Sequence, residues 1–305
     1  YALPDEATAE FSIAPKEVTL TWTNTALTYN GAEQAPTATA VGVLDGDTCT
    51  VTVTGGQMNA GAYTATASEL SNANYALPDE ATAEFSIDPK EVTLSWTDTA
   101  LTYNGVAQTP TATVGGLFDG DTCTVTVTGG QTNVGDYTAT ASELSNSNYK
   151  LPQNNTVSFI IRSASMDITV ADDSGVYDGA PHRITVTVNS SAEASVRYGT
   201  EEGLYSLAES PTLTDAGSLT IYYQVTAENY QSVTGMATVT VSKKSVTVSG
   251  ITAADKPYDG TTDATLNYDN VIISSVMDGD ELTVTATGAF ADAETGDGKT
   301  VTLSN

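Results

Sequence analysis

The residue types that support catalysis or metal binding are scarce in this sequence, and they do not cluster. His182 is the single histidine of the chain, and it follows Ala180-Pro181 beside a predicted turn. Zinc sites and Ser-His-Asp triads each require several such groups at defined spacings. We therefore predict that His182 lies in a surface loop, that the chain has no catalytic residues and is not an enzyme, and that it binds no cofactor.

Two cysteines occupy the same position in successive copies of a repeated segment. Cys49 and Cys123 are each the only cysteine of their copy, so a disulfide within one copy is excluded. Both are in phase with the apolar face of a predicted strand, and Leu282 takes the aligned position further along the chain. A leucine at this position indicates a small hydrophobic core residue. We predict buried, inert thiols; an intermolecular disulfide or a metal site is the alternative.

Asp-Gly-Asp recurs at residues 45–47, 119–121 and 278–280, where carboxylates could bind calcium. An EF-hand loop needs further acidic positions and a closing glutamate, which are missing here. Asp and Gly are also ordinary turn residues ahead of a strand, so we predict turns and no metal site. Calcium at the joints between repeats, or an isopeptide bond from Lys16 or Lys90 to an asparagine, is the alternative that the sequence leaves open.

These residues lie within a sequence segment that is repeated along the chain. Residues 1–13 recur unchanged at 75–87, and residues 45–57 recur unchanged at 119–131, each 74 residues later. Self-similarity at a fixed period indicates copies of one supersecondary unit. Two signatures continue the series: a Tyr-Asn/Asp-Gly turn at Tyr29, Tyr103, Tyr177 and Tyr258, and an Asn-Tyr pair at Tyr75, Tyr149 and Tyr230.

These signatures divide the chain into five segments. Residues 1–15 are the closing strand of a preceding repeat or a donor strand. The other segments are repeat 1 (16–89), repeat 2 (90–162), the divergent repeat 3 (163–243) and repeat 4 (244–305), which lacks its last strand.

Apolar and polar side chains alternate within each repeat, which is the period of a half-buried β-strand. Val18, Leu20 and Trp22 lie on one face of a predicted strand, and threonines lie on the other. Asn-Gly, Asp-Gly and Gly-Gly turns separate such strands. The sequence therefore predicts an all-β fold, a linear array of small antiparallel β-sandwich (Ig-like) repeats. Because only residues 88–91, including Pro89, link repeats 1 and 2, we expect a stiff, extended array.

The two tyrosine signatures and the closing alternating strand resemble the MBG and YDG repeat domains of large bacterial surface adhesins. Repeat 4, with KSVTVSGITAADKPYDGTTDATLNY, resembles a YDG domain most closely, and repeat 3, with VYDGAPHRITVTV, resembles the Ig-like MBG type. The resemblance implies display on the bacterial cell surface and a stalk or adhesive role. It implies no catalytic residues, because its motifs mark turns and core packing.

The charge of the chain restricts its partners. It contains 38 acidic and 10 basic residues, a net charge of −28, and each of the five segments is acidic. Nucleic acid and anionic membrane surfaces would be repelled. No stretch approaches the about 18 consecutive apolar residues of a membrane span, so we expect no membrane insertion in this segment. Acidity suits a soluble, self-repelling extracellular protein.

We therefore predict a structural stalk or fibre segment of a bacterial surface or extracellular adhesin, whose partners are adjacent repeats or neighbouring copies. The alternative is a glycan- or host-protein-binding module centred on repeat 3. Its insertion at residues 190–211 carries Arg197, Tyr198 and Tyr205. An exposed aromatic cluster there would favour binding, whereas inward-facing tyrosines would favour a spacer.

Repeat 4 and the first segment are complementary in sequence. Repeat 4 lacks the Asn-Tyr segment and the closing strand of the other repeats, and residues 1–13 have the sequence of that piece. One expectation is that the sequence is a window on a longer array. The other is strand addition between molecules, which would build head-to-tail filaments. Its predicted interface consists of Leu3, Ala9, Phe11 and Ile13.

Overall fold

In a computed structural model the chain consists of β-strands, turns and loops, and the structure describes residues 8–190 and 193–304. The chain forms two compact units, residues 1–164 and residues 165–305. The predicted all-β fold of small β-sandwiches is confirmed. The described residues include no helix that is long and apolar enough to cross a bilayer.

The unit of residues 1–164 contains the strands of repeats 1 and 2. In repeat 1 the strands are β1 (Lys16–Glu17), β2 (Thr19–Thr23), β3 (Ala26–Thr28), β4 (Thr37–Val41), β5 (Val51–Thr54), β6 (Gly61–Leu70), β7 (Tyr75–Ala76) and β8 (Thr82–Asp88). In repeat 2 they are β9 (Lys90–Glu91), β10 (Thr93–Thr97), β11 (Ala100–Thr102), β12 (Thr111–Gly115), β13 (Val125–Thr128), β14 (Gly135–Leu144), β15 (Tyr149–Lys150) and β16 (Thr156–Arg162).

The unit of residues 165–305 contains the strands of repeats 3 and 4. In repeat 3 they are β17 (Ile168–Ala171), β18 (Asp173–Val176), β19 (Thr185–Val188), β20 (Ala194–Gly199), β21 (Gly217–Ala227) and β22 (Val233–Ser242). In repeat 4 they are β23 (Thr247–Ser249), β24 (Thr252–Ala253), β25 (Asp263–Ala264), β26 (Leu266–Asn267), β27 (Ile272–Ser274), β28 (Thr287–Phe290) and β29 (Val301–Ser304).

Repeats 1 and 2 share one sheet topology. In repeat 1 a four-stranded sheet has the order β3-β8-β6-β5, and β2 pairs with β4 in a second, smaller sheet. Repeat 2 has the corresponding sheets β11-β16-β14-β13 and β10-β12. Most pairs are antiparallel, as predicted, but β3 runs parallel to β8 and β11 runs parallel to β16. The short pairs β1 with β7 and β9 with β15 are parallel as well. Alternation of side chains specifies which face is buried and carries no information on strand direction, so the sequence did not reveal the parallel pairs.

The core of each sandwich follows the alternation seen in the sequence. On β8 the side chains of Phe85 and Ile87 are 3% and 1% exposed, whereas their neighbour Glu84 faces solvent. Trp22 packs on this cluster from the smaller sheet, as expected for a core residue. Burying one such aliphatic or aromatic side chain contributes roughly 1.5–3 kcal/mol, so the closing strand β8 supplies much of the core.

The described residues of repeat 4 are less buried than those of the other repeats. Its sheet has the order β25-β28-β29, in which β29 pairs with β28 on one side only. None of its described residues is fully buried. Val246 is 39% exposed, whereas its counterparts Val18 and Val92 are 1% and 2% exposed. The division into four repeats stays a prediction, although every hydrogen-bonded sheet lies inside one predicted repeat.

Replacing Ile161 with alanine is expected to lower the free energy of unfolding of repeat 2 by about 2–5 kcal/mol, because a fully buried side chain would leave a cavity. Hydrogen exchange at the amides of β14 and β16 measures this loss locally, without assuming that the whole chain unfolds in one step. The matched control is Ile13→Ala at a side chain that is 98% exposed, where we expect a change within about 0.5 kcal/mol. Equal losses at the two positions would contradict the assigned core.

Candidate functional site

The Asp-Gly-Asp segment of repeat 2 forms a turn, as predicted, and this turn positions a carboxylate. The N–H of Asp121 donates to the carbonyl of Phe118 at 3.1 Å, which closes the turn. Gly120 has a φ of +87°, the left-handed conformation that suits glycine at the third position of a type II turn. The turn thereby fixes the side chain of Asp121 on the side that faces repeat 1.

Two tyrosines from different repeats share this carboxylate. The hydroxyl of Tyr29, in the Tyr-Asn-Gly turn of repeat 1, donates to Oδ2 of Asp121 at 2.8 Å. The hydroxyl of Tyr149, in the Asn-Tyr pair of repeat 2, donates to the same oxygen at 2.5 Å. Tyr149 also accepts the N–H of Phe118 at 2.9 Å. We name Tyr29, Phe118, Asp121 and Tyr149 the Tyr–Asp joint.

The aromatic rings of the joint pack edge to face. The ring centroids of Tyr29 and Tyr149 are 5.4 Å apart, and those of Tyr29 and Phe118 are 5.7 Å apart. Such pairs add about 0.5–1.5 kcal/mol beyond their buried area. A side chain at Gly31, which has a φ of +78°, would meet the Phe118 ring at 3.2 Å. The glycine therefore lets the turn of repeat 1 lie against repeat 2.

The hydrophobic core is continuous across this joint. Phe85 and Ile87 of repeat 1 belong to one buried cluster together with Val92 and Tyr149 of repeat 2. Only Pro89 separates β8 from β9, so the chain passes from one sandwich to the next beside this cluster. Repeat 1 and repeat 2 are therefore joined by packing as well as by the polypeptide.

An amide contact lies on a second side of the joint. Asn148 accepts the N–H of Ala60 at 2.8 Å and donates from Nδ2 to Oδ1 of Asn59 at 3.0 Å. Lys90 adds a cation–π contact, with Nζ 4.2 Å from the Phe118 ring centroid.

The hydrogen bonds of the joint shift the pKa values of its acidic groups. Hydrogen bonds from Tyr149 and then Tyr29 hold the pKa of Asp121 below its ordinary value of 3.8. The hydrogen bond to Asp121, followed by burial, raises the pKa of Tyr29 above 10.0. Burial, followed by the same carboxylate, raises the pKa of Tyr149. At neutral pH the joint therefore consists of one charged acceptor and two neutral donors, a strong charge-assisted arrangement.

The same contact recurs between repeats 3 and 4. The hydroxyl of Tyr177 donates to Oδ1 of Asp280 at 3.0 Å. The N–H of Asp280 closes the Asp-Gly-Asp turn onto the carbonyl of Met277 at 3.1 Å, so Met277 takes the place of Phe118. Hydrogen bonding to Asp280 raises the pKa of Tyr177.

In repeat 1 the corresponding carboxylate has a tyrosine of its own repeat. The hydroxyl of Tyr75 donates to Oδ2 of Asp47 at 2.7 Å and accepts the N–H of Leu44 at 2.9 Å. Leu44 occupies the position of Phe118 and is 60% exposed. Phe118, which packs against Tyr29 of repeat 1, is only partly exposed.

His182 does not lie in an exposed surface loop, so that prediction was wrong. Its side chain is 15% exposed and lies between Asp173 and Asp178, each 3.2 Å from a ring nitrogen. The hydrogen bond to Asp178 is the largest of the effects that raise the pKa of His182 above 6.5. Backbone hydrogen bonds with Leu213 form an isolated bridge outside the strands, a long-range contact that the adjacent proline did not indicate.

The cysteines are less buried than the sequence predicted, and the two lysine amines donate to backbone carbonyls. Cys49 and Cys123 are free thiols and only partly buried, and Cys123 packs on the shared cluster. The amine of Lys16 donates to the carbonyl of Gly42, and Lys90 bonds a carbonyl in the same way. Neither amine contacts an asparagine side chain through these bonds. Among residues 8–190 and 193–304, no three His, Cys, Asp or Glu side chains are grouped to hold a metal ion.

The residues predicted for binding and for strand addition differ in exposure. Arg197 is exposed, Tyr205 is half-buried, and Tyr198 belongs to the core of repeat 3. Phe11 and Ile13 are 90% and 98% exposed and lie outside any strand. Ala9 is also exposed, and Leu3 lies outside the described residues.

Sequence reasoning identified the turns of the joint but not their pairing. The sequence predicted a turn at Asp121, and it predicted turns and core packing for the Tyr-Asn/Asp-Gly motif that contains Tyr29. A signal was present, because Tyr-Asn/Asp-Gly and Asp-Gly-Asp recur as a pair in adjacent repeats. Repeat 3 has the tyrosine turn without Asp-Gly-Asp, which obscured the pattern.

Comparison with known families and structures agrees with part of the resemblance. Residues 242–305 match the YDG domain family. No curated protein matches the sequence. Among solved structures, the chain is similar to the human desmocollin-1 ectodomain, with 8% identity, a TM-score of 0.20, and coverage of 80% of this chain and 63% of that one. It is also similar to immunoglobulin domains 1–5 of Sidekick-1, with 11% identity, a TM-score of 0.20, and coverage of 94% and 78%.

The shifted pKa of Asp121 predicts a specific loss of stability in acid. Because the folded pKa is depressed, the stabilisation is present above the ordinary carboxyl pKa of 3.8 and is lost as the pH falls through the folded value. The difference in unfolding free energy between wild type and Asp121→Asn should therefore shrink across this range. Asp119→Asn, in the same turn, is the matched control. A difference that does not change with pH would contradict the assigned role of Asp121.

Proposed function

We propose that this chain is a structural segment, a stalk or fibre module, of a bacterial cell-surface or extracellular protein. Its work is to hold successive β-sandwiches in fixed relation, and the Tyr–Asp joint is the device that does so. The supporting observation is that one carboxylate, Asp121, accepts hydrogen bonds from tyrosines of two repeats, and that both tyrosines belong to an apolar cluster that the two repeats share.

The physical argument concerns bending at the joint. Domains in one chain normally move relative to each other unless their interface is large and apolar. Opening the joint would expose the rings of Tyr29 and Phe118 and would leave Asp121 with one donor fewer. Both costs oppose bending, which is what a spacer needs and an independent binding domain does not.

Other features support display outside the cell. The match of residues 242–305 to the YDG domain family agrees with the resemblance to repeat domains of bacterial adhesins. A net charge of −28 keeps tandem copies soluble and apart from one another. Head-to-tail assembly by strand addition is part of the same proposal, and the exposed side chains of Phe11 and Ile13 are accessible to such a contact.

The alternative of a binding module in repeat 3 has less support. Tyr198 is 9% exposed and packs in the core, so it does not form a surface platform with Arg197. The inward-facing side chain of Tyr198 favours the spacer.

Stiffness of the joint can be measured by the distance distribution between two spin labels. The labels replace Thr52 and Thr126, exposed residues at equivalent positions of β5 and β13, in a chain with Cys49→Ser and Cys123→Ser. We expect one narrow distribution, which Tyr29→Ala broadens because it removes a ring and a hydrogen bond.

Tyr177→Ala is the matched control for this measurement. It removes a tyrosine from the equivalent turn of repeat 3 and should leave the distribution unchanged. A distribution that is already broad without Tyr29→Ala would contradict a stiff joint.

Display outside the cell can be tested by immunogold electron microscopy of the producing cells. Antibodies raised against the chain should label the outer surface or extracellular fibres of intact cells without permeabilisation. Label confined to the cytoplasm of permeabilised cells would overturn the proposed location.

A further inference from the structure

The ring of His182 lies beside a position that is a leucine in repeats 1 and 2. Gly175 comes two residues before the turn tyrosine of repeat 3, as Leu27 and Leu101 do in repeats 1 and 2, and all three pair with the last long strand of their repeat. A Cβ added at Gly175 would come within 2.9 Å of Cε1 of His182. The glycine therefore leaves room for the imidazole, whose side chain is 15% exposed.

The position of His182 itself is a glutamine in repeats 1 and 2. Gln34 and Gln108 come five residues after the turn tyrosine, as His182 does, and each of the three forms an isolated backbone bridge. The two side-chain amides donate to the carbonyls of Thr28 and Thr102, each at 3.1 Å. Repeat 3 therefore has a group here that gains a proton near neutral pH, whereas repeats 1 and 2 have an amide that does not titrate.

Two carboxylates face the two ring nitrogens of His182. Nδ1 lies 3.2 Å from Oδ2 of Asp173, and Nε2 lies 3.2 Å from Oδ1 of Asp178. A neutral imidazole has one N–H donor, whereas an imidazolium has two. Only the protonated ring can therefore donate to both carboxylates at once, because in the neutral ring one carboxylate faces a nitrogen lone pair.

The two carboxylates belong to segments at opposite ends of β18. Asp173 is the first residue of that strand, and its Oδ2 also accepts the N–H of Arg183 at 3.2 Å. Asp178 follows the turn tyrosine, and its Oδ1 also accepts the N–H of Ala180 at 2.9 Å. His182 therefore connects the start of β18 to the Tyr-Asp-Gly turn that follows the end of the strand.

The charged groups around His182 favour its protonated form. Asp173 and Asp178 act on the ring directly, and Asp215, from the segment that forms the backbone bridge, adds a negative charge beside the same turn. The side chain of Arg183 is exposed. β19, which follows the histidine, and β22, which pairs with β18, contain no charged residue. Nearby negative charges stabilise an imidazolium.

We propose that His182 is a pH-sensitive switch that fixes the Tyr-Asp-Gly turn of repeat 3. As the imidazolium it donates to Asp173 and Asp178 together and holds the turn to the start of β18. When the ring loses its proton it keeps one donor, so one of the two connections is lost. Tyr177, which donates to Asp280 of repeat 4, lies in this turn, so the switch also controls how firmly that tyrosine is held.

The direction of the pH dependence follows from these hydrogen bonds. The hydrogen bond to Asp178, which is the largest effect, raises the folded pKa of His182 above 6.5. The stabilisation is therefore complete below the ordinary value of 6.5 and is lost as the pH rises through the folded value. The turn is held in mildly acidic solution and is released in alkaline solution.

Nuclear magnetic resonance of the full-length chain with isotope-labelled histidine measures the titration directly, because His182 is the single histidine. We expect a pKa above 6.5 in the wild type and a value closer to 6.5 in Asp178→Asn, which removes the negative charge beside Nε2. Asp167→Asn is the matched control, because it removes an exposed carboxylate of the same repeat and should leave the pKa unchanged. A wild-type pKa of 6.5 or lower, or one that Asp178→Asn does not change, would contradict the switch.

Hydrogen exchange at the amides of β18, corrected for the intrinsic rate at each pH, tests whether the titration affects the structure. We expect protection in the wild type to fall by about 10-fold between about pH 6 and pH 9, as for the loss of one charge-assisted hydrogen bond. His182→Gln, which introduces the residue of repeats 1 and 2, should remove this dependence. β3, which is followed by Gln34 in the same molecule, is the internal control and should show no such fall.

A double variant keeps the test decisive if His182→Gln alone does not fold. Gly175→Leu together with His182→Gln rebuilds the residues of repeats 1 and 2 at both positions, and its β18 should be protected independently of pH. A pH-dependent fall that persists in this variant, or its absence in the wild type, would overturn the inference. The inference concerns repeat 3 and does not rest on the proposed function, which the spin labels test in repeats 1 and 2, so the two can fail separately.

Discussion

One carboxylate, Asp121, governs the relation between repeats 1 and 2. Its position depends on a tight turn, and its two hydrogen-bond donors come from opposite sides of a repeat boundary. Asp121 is only partly buried and lies beside the apolar cluster, so separating the two sandwiches would exchange a charge-assisted hydrogen bond for contacts with water. The edge-to-face packing of Tyr29 on Phe118 and Tyr149 adds a specific geometry to the hydrogen bonds.

The arrangement explains why polar turn residues recur so regularly in a chain without evident chemistry. A Tyr-Asn/Asp-Gly turn presents a tyrosine at one end of a repeat, and an Asp-Gly-Asp turn presents a carboxylate in the next. The contact between Tyr177 and Asp280 shows that the pair survives where most of the surrounding sequence has diverged. The hydrogen bond between tyrosine and carboxylate accounts for both motifs at once.

The sequence predicted most of the core and little of the joint. Alternation placed Trp22 and Val18 on an inward face, and the structure buries Val18 and packs Trp22 on the core. The alternation could not predict the parallel pairing of β3 with β8, because parallel and antiparallel strands show the same alternation of side chains. His182 was misplaced because its neighbours in space, Asp173 and Leu213, come from other segments of the chain.

The sequence by itself determined that the chain is all-β, acidic and repetitive, because composition and periodicity are local properties that every copy repeats. Only the tertiary structure decided what the repeats do to each other. Tyr29 and Asp121 are distant in sequence, and their contact depends on how two finished sandwiches meet. The incomplete burial of repeat 4 is likewise visible only when the strands are assembled, since an exposed Val246 and a buried Val92 sit in similar sequences.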